Sequence, residues 1–429
     1  MLKYIKFYPI SQIPTSYIYL TILFFFIVYI NLINFFPSNT FANTDSSSYS
    51  SLENHRLKNF ILSAKGKDKW TRMMLAIMNS VPAVEKILEE EIPVNIRGTE
   101  KFAGVTPLIF ASSIGKVAIV KLLTKKNARL NDTDSLGKTA LIHATKKGHL
   151  EIVNYLIKKG ANPNAQTNQK WTALMYAAQL GNIEILNQLL KHGAKVDAQN
   201  YLGMTSKMYA SKNGHLEIVK LLLERGAKVD LISRNGSNSL IWATRAGHEK
   251  ITELLIEVGA KMDFFESEFQ RSPLLLAAMY GRESTVKKLL SSGANLEVID
   301  SNGANALMLA LNNNHLKISD LLIKAGVSID TPDKKNRTPL MIAVSKGSYD
   351  LTKFLINKGA NVNSRSVNKK TALMIASEKG FLDIVKLLIK EKGSLDLQDR
   401  YGRTAWNFAA DNGHLKLVEF LSSKEINNQ

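Results

Sequence analysis

The chain has 429 residues, with 56 Lys plus Arg against 37 Asp plus Glu, a formal charge of +19, and 45% hydrophobic and 22% charged residues. These proportions belong to a folded chain and exclude disorder or a collagen-like repeat as overall descriptions. The absence of cysteine excludes a disulfide framework, thiol catalysis and thiolate metal sites.

The N-terminus is unlike the rest. Lys3 and Lys6, with no acidic residue among the first 42, precede an apolar run from Tyr17 to Ile30 that only Thr21 interrupts. Asn31, Asn34 and Pro37 close the run, and Thr40-Phe41-Ala42 fits a signal-peptidase site ending at Ala42. Residues 1–42 are therefore expected to be a signal peptide. Extended to Phe36, the run reaches about 20 residues, enough to cross a bilayer as an uncleaved signal anchor. In either form the N-terminal lysines stay in the cytoplasm and the remainder is exported. It goes to the periplasm, to the medium, or to a membrane-anchored state held by residues 17–36. Residues 43–51 (NTDSSSYSS) are too polar to pack and read as a flexible linker. Within 52–66, Leu52, Leu57, Phe60 and Ile61 follow helical spacing, which predicts an N-terminal cap over the segment after it.

From residue 67 to the end one pattern repeats, anchored at Thr71, Thr106, Thr139, Thr172, Thr205, Asn238, Ser272, Asn305, Thr338, Thr371 and Thr404. Eight of the ten spacings are 33; the others are 35 and 34. A fixed period of this length specifies a solenoid, so chain length reports the number of repeats and not of domains. In Gly104-Val105-Thr106-Pro107-Leu108 the Gly permits a tight turn, the Thr hydroxyl caps a helix and the Pro suits its first position. The short helix ends near a Gly such as Gly214. A second helix, His215 to Leu223, carries apolar residues on one face and stops at Gly226-Ala227, from which a hairpin-like loop leads to the next anchor. The closing helix, from His414 to Ser423, mixes Lys416, Glu419, Ser422 and Ser423 with Leu415, Leu417, Val418 and Leu421, as a C-terminal cap requires.

Strings such as GKTALIHATKKGHLEIVNYLIKKGANPNAQ from Gly137 and GMTSKMYASKNGHLEIVKLLLERGAKVDLI from Gly203 resemble the ankyrin repeat family, of bacterial exported type given the leader and the richness in Ile, Lys and Asn. The resemblance implies an all-α class: an α-solenoid of about eleven helix-turn-helix units with projecting β-hairpin loops. The unit at Thr71 is degenerate, with Ser80 in its loop-Gly place. Three residues after the anchor, where the family usually has His, stand Ile109, Ile142, Met175, Met208, Ile241, Leu275, Met308, Met341, Met374 and Asn407. Apolar packing is expected to replace that histidine's hydrogen bonds.

His149, His215, His248, His315 and His414 share one place, a residue after the loop Gly or its substitute. Repeats stack about 10 Å apart, whereas zinc ligands converge within about 2 Å of one point, so these histidines are expected to be structural. No nucleophile, base and orienting residue recur together, and no phosphate-binding Gly-rich loop is present. The expectation is no catalytic, metal or cofactor-binding residue and no enzyme activity.

Charge is the discriminating feature. The resemblance places partner contacts on the hairpin tips and the end of the first helix: the four residues before each anchor and those seven and eight after it. In the ten repeats from Thr106 these positions hold 17 basic residues against Glu268, Glu378 and Asp411. Eight are Lys138, Lys146, Lys147, Lys170, Lys212, Arg234, Arg245 and Arg271; the densest block, on the last three repeats, is Lys334, Lys335, Arg337, Lys346, Lys369, Lys370, Lys379, Arg400 and Arg403. Rows so close, compared with a Debye length of about 8 Å, add their fields. Trp171, Tyr201, Phe269, Tyr280 and Tyr401 at the same positions are candidate aromatic anchors or packing between repeats. The lengthened loop with Phe264, Phe265 and Phe269 is expected either to expose an apolar contact or to tuck over the adjacent hairpin. The expected function is a monomeric, exported interaction module that binds an acidic protein through a basic concave face. The rivals are a binder of nucleic acid or envelope polyanion and a secreted host-directed effector.

Overall fold

The computed structural model describes residues 68–99 and 102–426. The expected export segment (1–42), linker (43–51) and N-terminal cap (52–66) lie outside the described residues. Among those described, no helix is long and apolar enough to cross a membrane.

The described residues form 22 helices in eleven pairs. In chain order the pairs are α1 (Lys69–Asn79) and α2 (Val81–Glu89), α3 (Pro107–Ser113) and α4 (Val117–Lys125), α5 (Ala140–Lys146) and α6 (Leu150–Lys158), and α7 (Ala173–Leu180) and α8 (Ile183–Lys191). The central pairs are α9 (Ser206–Asn213) and α10 (Leu216–Glu224), α11 (Ser239–Ala246) and α12 (Glu249–Glu257), and α13 (Pro273–Met279) and α14 (Glu283–Ser291). The last four are α15 (Ala306–Asn312) and α16 (Leu316–Lys324), α17 (Pro339–Ser345) and α18 (Tyr349–Asn357), α19 (Ala372–Lys379) and α20 (Leu382–Lys390), and α21 (Ala405–Asp411) and α22 (Leu415–Ile426).

The expected caps form. Thr106, Thr139, Thr172, Thr205 and Thr371 each accept the backbone N–H three residues on at 3.3 Å, and Asn238 and Asn305 do so at 2.9 Å. Thr404 forms a reciprocal capping box with Asn407. Pro107, Pro273 and Pro339 stand at helix starts, where a missing N–H is harmless. The first unit departs from the reading of Thr71 as a cap. Asp68 takes that role, accepting from the Thr71 N–H at 2.8 Å, so α1 starts earlier and Thr71 lies inside it. Ser80 ends α1 and caps α2 at once.

Each odd-numbered helix packs against the odd helices before and after it and against its own even partner. Close approach is possible because Ala stands five residues after every anchor, from Ala76 and Ala111 to Ala409, and is shielded from solvent in all eleven units. Even helices contribute a stripe such as Ile218, Val219 and Leu222, all buried. No pair encloses this apolar surface alone; the neighbouring pairs cover it, at about 1.5–3 kcal/mol per large side chain. Removal of one period, Thr205 to Ser237, is therefore expected to leave a folded, shorter array. Circular dichroism should show unchanged helicity per residue, and loss of cooperative unfolding would contradict the nearest-neighbour account.

The expected β-hairpins are turns. Among the described residues the sole β-type pairing is an isolated antiparallel bridge, Glu266 with Arg271. Each loop commits most of its polar groups to its own side-chain-stabilised turn and gives the neighbouring loop one backbone bond, too few for a ladder. The closing helix α22 runs to Ile426, beyond the expected Ser423. It buries Leu417 and Leu421 and exposes Leu415.

Candidate functional site: the hairpin face

A polar side chain five places before the anchor folds eight of the tips, and Glu266, six places before Ser272, folds another. Asp134 Oδ1 accepts the N–H groups of Leu136 at 2.9 Å and Lys138 at 2.8 Å. Asn200, Asp300, Asp333 and Asp399 repeat the pair of bonds in their own loops. Burial alone would raise the Asp134 carboxyl, but the His143 ring at 2.8 Å and the loop N–H groups outweigh it and hold it below the usual carboxylate range. Successive tips are then joined by single backbone bonds. They run from Ser135 N–H to Ala103 O at 2.9 Å through Arg234 to Leu202 at 2.8 Å and on to Arg400 with Asn368 at 3.0 Å.

These buried carboxylates divide the basic positions into two groups. Arg337 and Arg403 turn back onto Asp333 and Asp399 of their own loops, Arg271 reaches Asp300 of the next, and Lys370 pairs with Glu378 at 2.9 Å. Lys334, Lys335, Lys369 and Lys379 are exposed and form no ion pair among the described residues. Arg234 is exposed as well, while Lys138 and Arg245 are half-buried. Arg400 donates to Asn368 Oδ1 at 3.2 Å, and Lys346 donates to the Asn312 carbonyl of the preceding repeat. Lys146 and Lys147 are exposed at the end of α5, with Lys146 beside the Tyr176 ring. A count over the tip positions alone misses the acidic partners because they stand one residue further back. The recurrence of Asp at 134, 300, 333 and 399 was the signal.

The aromatic candidates divide likewise. Trp171 is half-buried and packs on Tyr176 and Tyr209, with centroids 4.8 and 4.4 Å away. Phe269 lies 4.4 Å under the Arg271 guanidinium, and it, Phe264 and Phe265 are only partly exposed. The lengthened loop thus tucks its Phe residues in. Tyr201, beneath the Lys170 ammonium at 5.1 Å, Tyr280 and Tyr401 remain exposed.

Across the other edge runs a column of histidines. His215 Nε2 meets the Gln179 carbonyl of the preceding repeat at 3.2 Å, His248 that of Lys212 at 3.1 Å and His315 that of Met279 at 3.2 Å; His149 and His414 make the same contact. A carbonyl only accepts, so Nε2 carries the proton. Burial pushes the His149 and His248 imidazoles down, which keeps them neutral. At these helix ends the side-chain bond to the preceding repeat is therefore supplied by these rings and not by the position three residues after the anchor. No group of His, Asp or Glu among the described residues is arranged to hold a metal ion.

An ordered face of loop tips on a stack of paired helices is what a binding array presents. A family model for ankyrin repeats (three copies) matches residues 72–167, 113–200, 174–266, 207–300, 274–366 and 364–429. No curated protein matches the chain. Ankyrin repeats are protein–protein interaction modules and generally lack catalytic activity. With the period, the caps, the helix pairs and a family match running from residue 72 to the end, the chain belongs to the ankyrin repeat family.

Proposed function

We propose that this protein is an exported, non-enzymatic interaction module that holds an acidic protein partner on its basic hairpin face. The observation that carries the reading is the exposure of Lys334, Lys335, Lys369 and Lys379 on the last repeats, with no ion pair to a carboxylate among the described residues. The Arg residues beside them are already neutralised by buried Asp. Unpaired charge raises the encounter rate with an oppositely charged surface and sets orientation more than it adds affinity. Export is supported by the apolar run from Tyr17 to Ile30 and by Thr40-Phe41-Ala42; N-terminal sequencing of the native protein, with Asn43 first, would establish cleavage.

Reversal of Lys334, Lys335 and Lys369 to Glu in the full chain is expected to abolish partner capture in a low-salt pull-down. Thermal stability should move by less than about 0.5 kcal/mol, since the sites are exposed and unpaired. Unchanged capture would sink the basic-face reading. Binding that falls linearly in log K against log salt, with no preference among polyanions, would favour the polyanion alternative.

A further inference from the structure

The last three hairpin tips combine exposed cations with exposed apolar side chains. Lys334-Lys335, Val367-Asn368 and Arg400-Tyr401 occupy the same two places in successive loops. They are joined by Val367 N–H to Lys335 O and Arg400 N–H to Asn368 O, both at 3.0 Å. Val367 is 63% exposed and Tyr401 72%. The Tyr401 ring is flanked by the Arg400 and Arg403 guanidiniums, each 5.6 Å from its centroid. Arg403 is itself fixed by Asp399 at 3.0 Å and by the Phe408 ring at 4.3 Å, so one cation over the aromatic ring is set before any partner arrives.

Building on the proposed function, we infer that this strip takes an extended acidic peptide segment bearing an apolar side chain at about every third residue. Adjacent tips are about 10 Å apart, and an extended chain in the polyproline II form advances about 3.1 Å per residue with about three residues per turn, so three residues span one tip to the next and bring the side chain back to the same face. Carboxylates then meet Lys334, Lys335, Lys369 and Arg400, while apolar side chains cover Val367 and Tyr401. A bare polyanion satisfies the lysines and leaves both apolar groups in water. A nucleic acid would need flat stacking partners, which aliphatic Val367 does not offer.

The test uses the full chain and fluorescence anisotropy with three labelled probes: a peptide of about a dozen residues with Leu at every third place and Glu elsewhere, an all-Glu peptide of equal length, and oligo-dT. The Leu-bearing peptide is expected to bind about tenfold tighter than all-Glu, a preference removed by Val367→Ser with Tyr401→Ser while all-Glu binding is retained. Both positions are exposed, so the variant should keep the parent Tm. Equal binding of the two peptides would overturn the spaced-apolar inference and leave the basic face standing. Failure of both peptides would overturn both readings, and tighter binding of oligo-dT would replace the peptide with a nucleic acid.

Discussion

Lys207→Leu is expected to stabilise the fold by about 1–4 kcal/mol at neutral pH and to raise the unfolding midpoint accordingly. Two places after the anchor, Leu108, Leu141, Leu174, Leu240, Leu274, Leu307, Leu340 and Leu373 fill the core, and all are buried. The unit at Thr205 has Lys207 there instead, 2% exposed, its Nζ donating to the carbonyls of Lys228 at 2.8 Å and Val229 at 2.9 Å. Two neutral acceptors do not replace the lost hydration of an ammonium. Burial accordingly pushes the Lys207 amine down to about 8, with Asp197 and Asp230 acting weakly in the other direction. Between that value and the ordinary 10.5 the unfolded chain binds more protons than the folded one, so stability rises with pH across this window. The penalty, about 3 kcal/mol, is fully present below the lower value and relieved towards the upper. Denaturant titrations of wild type and variant at several pH values should therefore show a gap that narrows as pH rises from 8 to 10.5. A variant no more stable than wild type at pH 7, or a gap independent of pH, would contradict the buried-ammonium account.

The second large effect is expected from Gly214→Ala. Gly214 ends α9 with φ +84°, and an added Cβ would stand 2.6 Å from Cε1 of His248, the ring that bonds back to Lys212. The substitution meets two penalties: left-handed backbone for a residue with a side chain, about 1 kcal/mol, and displacement of the ring with its hydrogen bond, about 1–2 kcal/mol more. Gly226→Ala separates them, because Gly226 has φ +81° and a Cβ added there meets nothing within 4 Å. Thermal or denaturant unfolding should show Gly214→Ala roughly twice as damaging, and His248→Ala should make the two glycine substitutions nearly equal. Equal costs in the parent protein would mean that the histidine column does not hold neighbouring repeats together.

Much of this architecture is legible in the residues because each repeat restates the same local chemistry. Thr or Asn caps, left-handed Gly and two apolar helical stripes occur in phase, and ten of the eleven anchors cap the helices expected of them. What escaped was information that depends on a neighbour. Asp68 takes over from Thr71 because the first unit has an extra turn ahead of its anchor. The carboxylates of Asp300, Asp333 and Asp399 neutralise arginines that a count of tip positions treats as free. The histidines were identifiable as structural, but their bonds span 36 residues, a distance no single period displays. Lys207 looks like an ordinary surface lysine in composition, and only alignment of its place with the eight leucines marks it as a buried charge.

The central claim is that basic residues of one face have two separate roles: paired arginines hold the loops, and free lysines meet the partner. Its most direct test is the affinity of the full chain for the Glu-rich peptide, with Tm measured alongside, in one triple and one double variant. Lys334→Glu, Lys335→Glu and Lys369→Glu together should abolish binding at low salt and leave Tm unchanged. Arg271→Gln with Arg337→Gln should lower Tm, because Asp300 and Asp333 stay buried without their cations, while most of the binding survives. Wild-type affinity in the lysine variant, or equal loss of binding in both, would contradict the division.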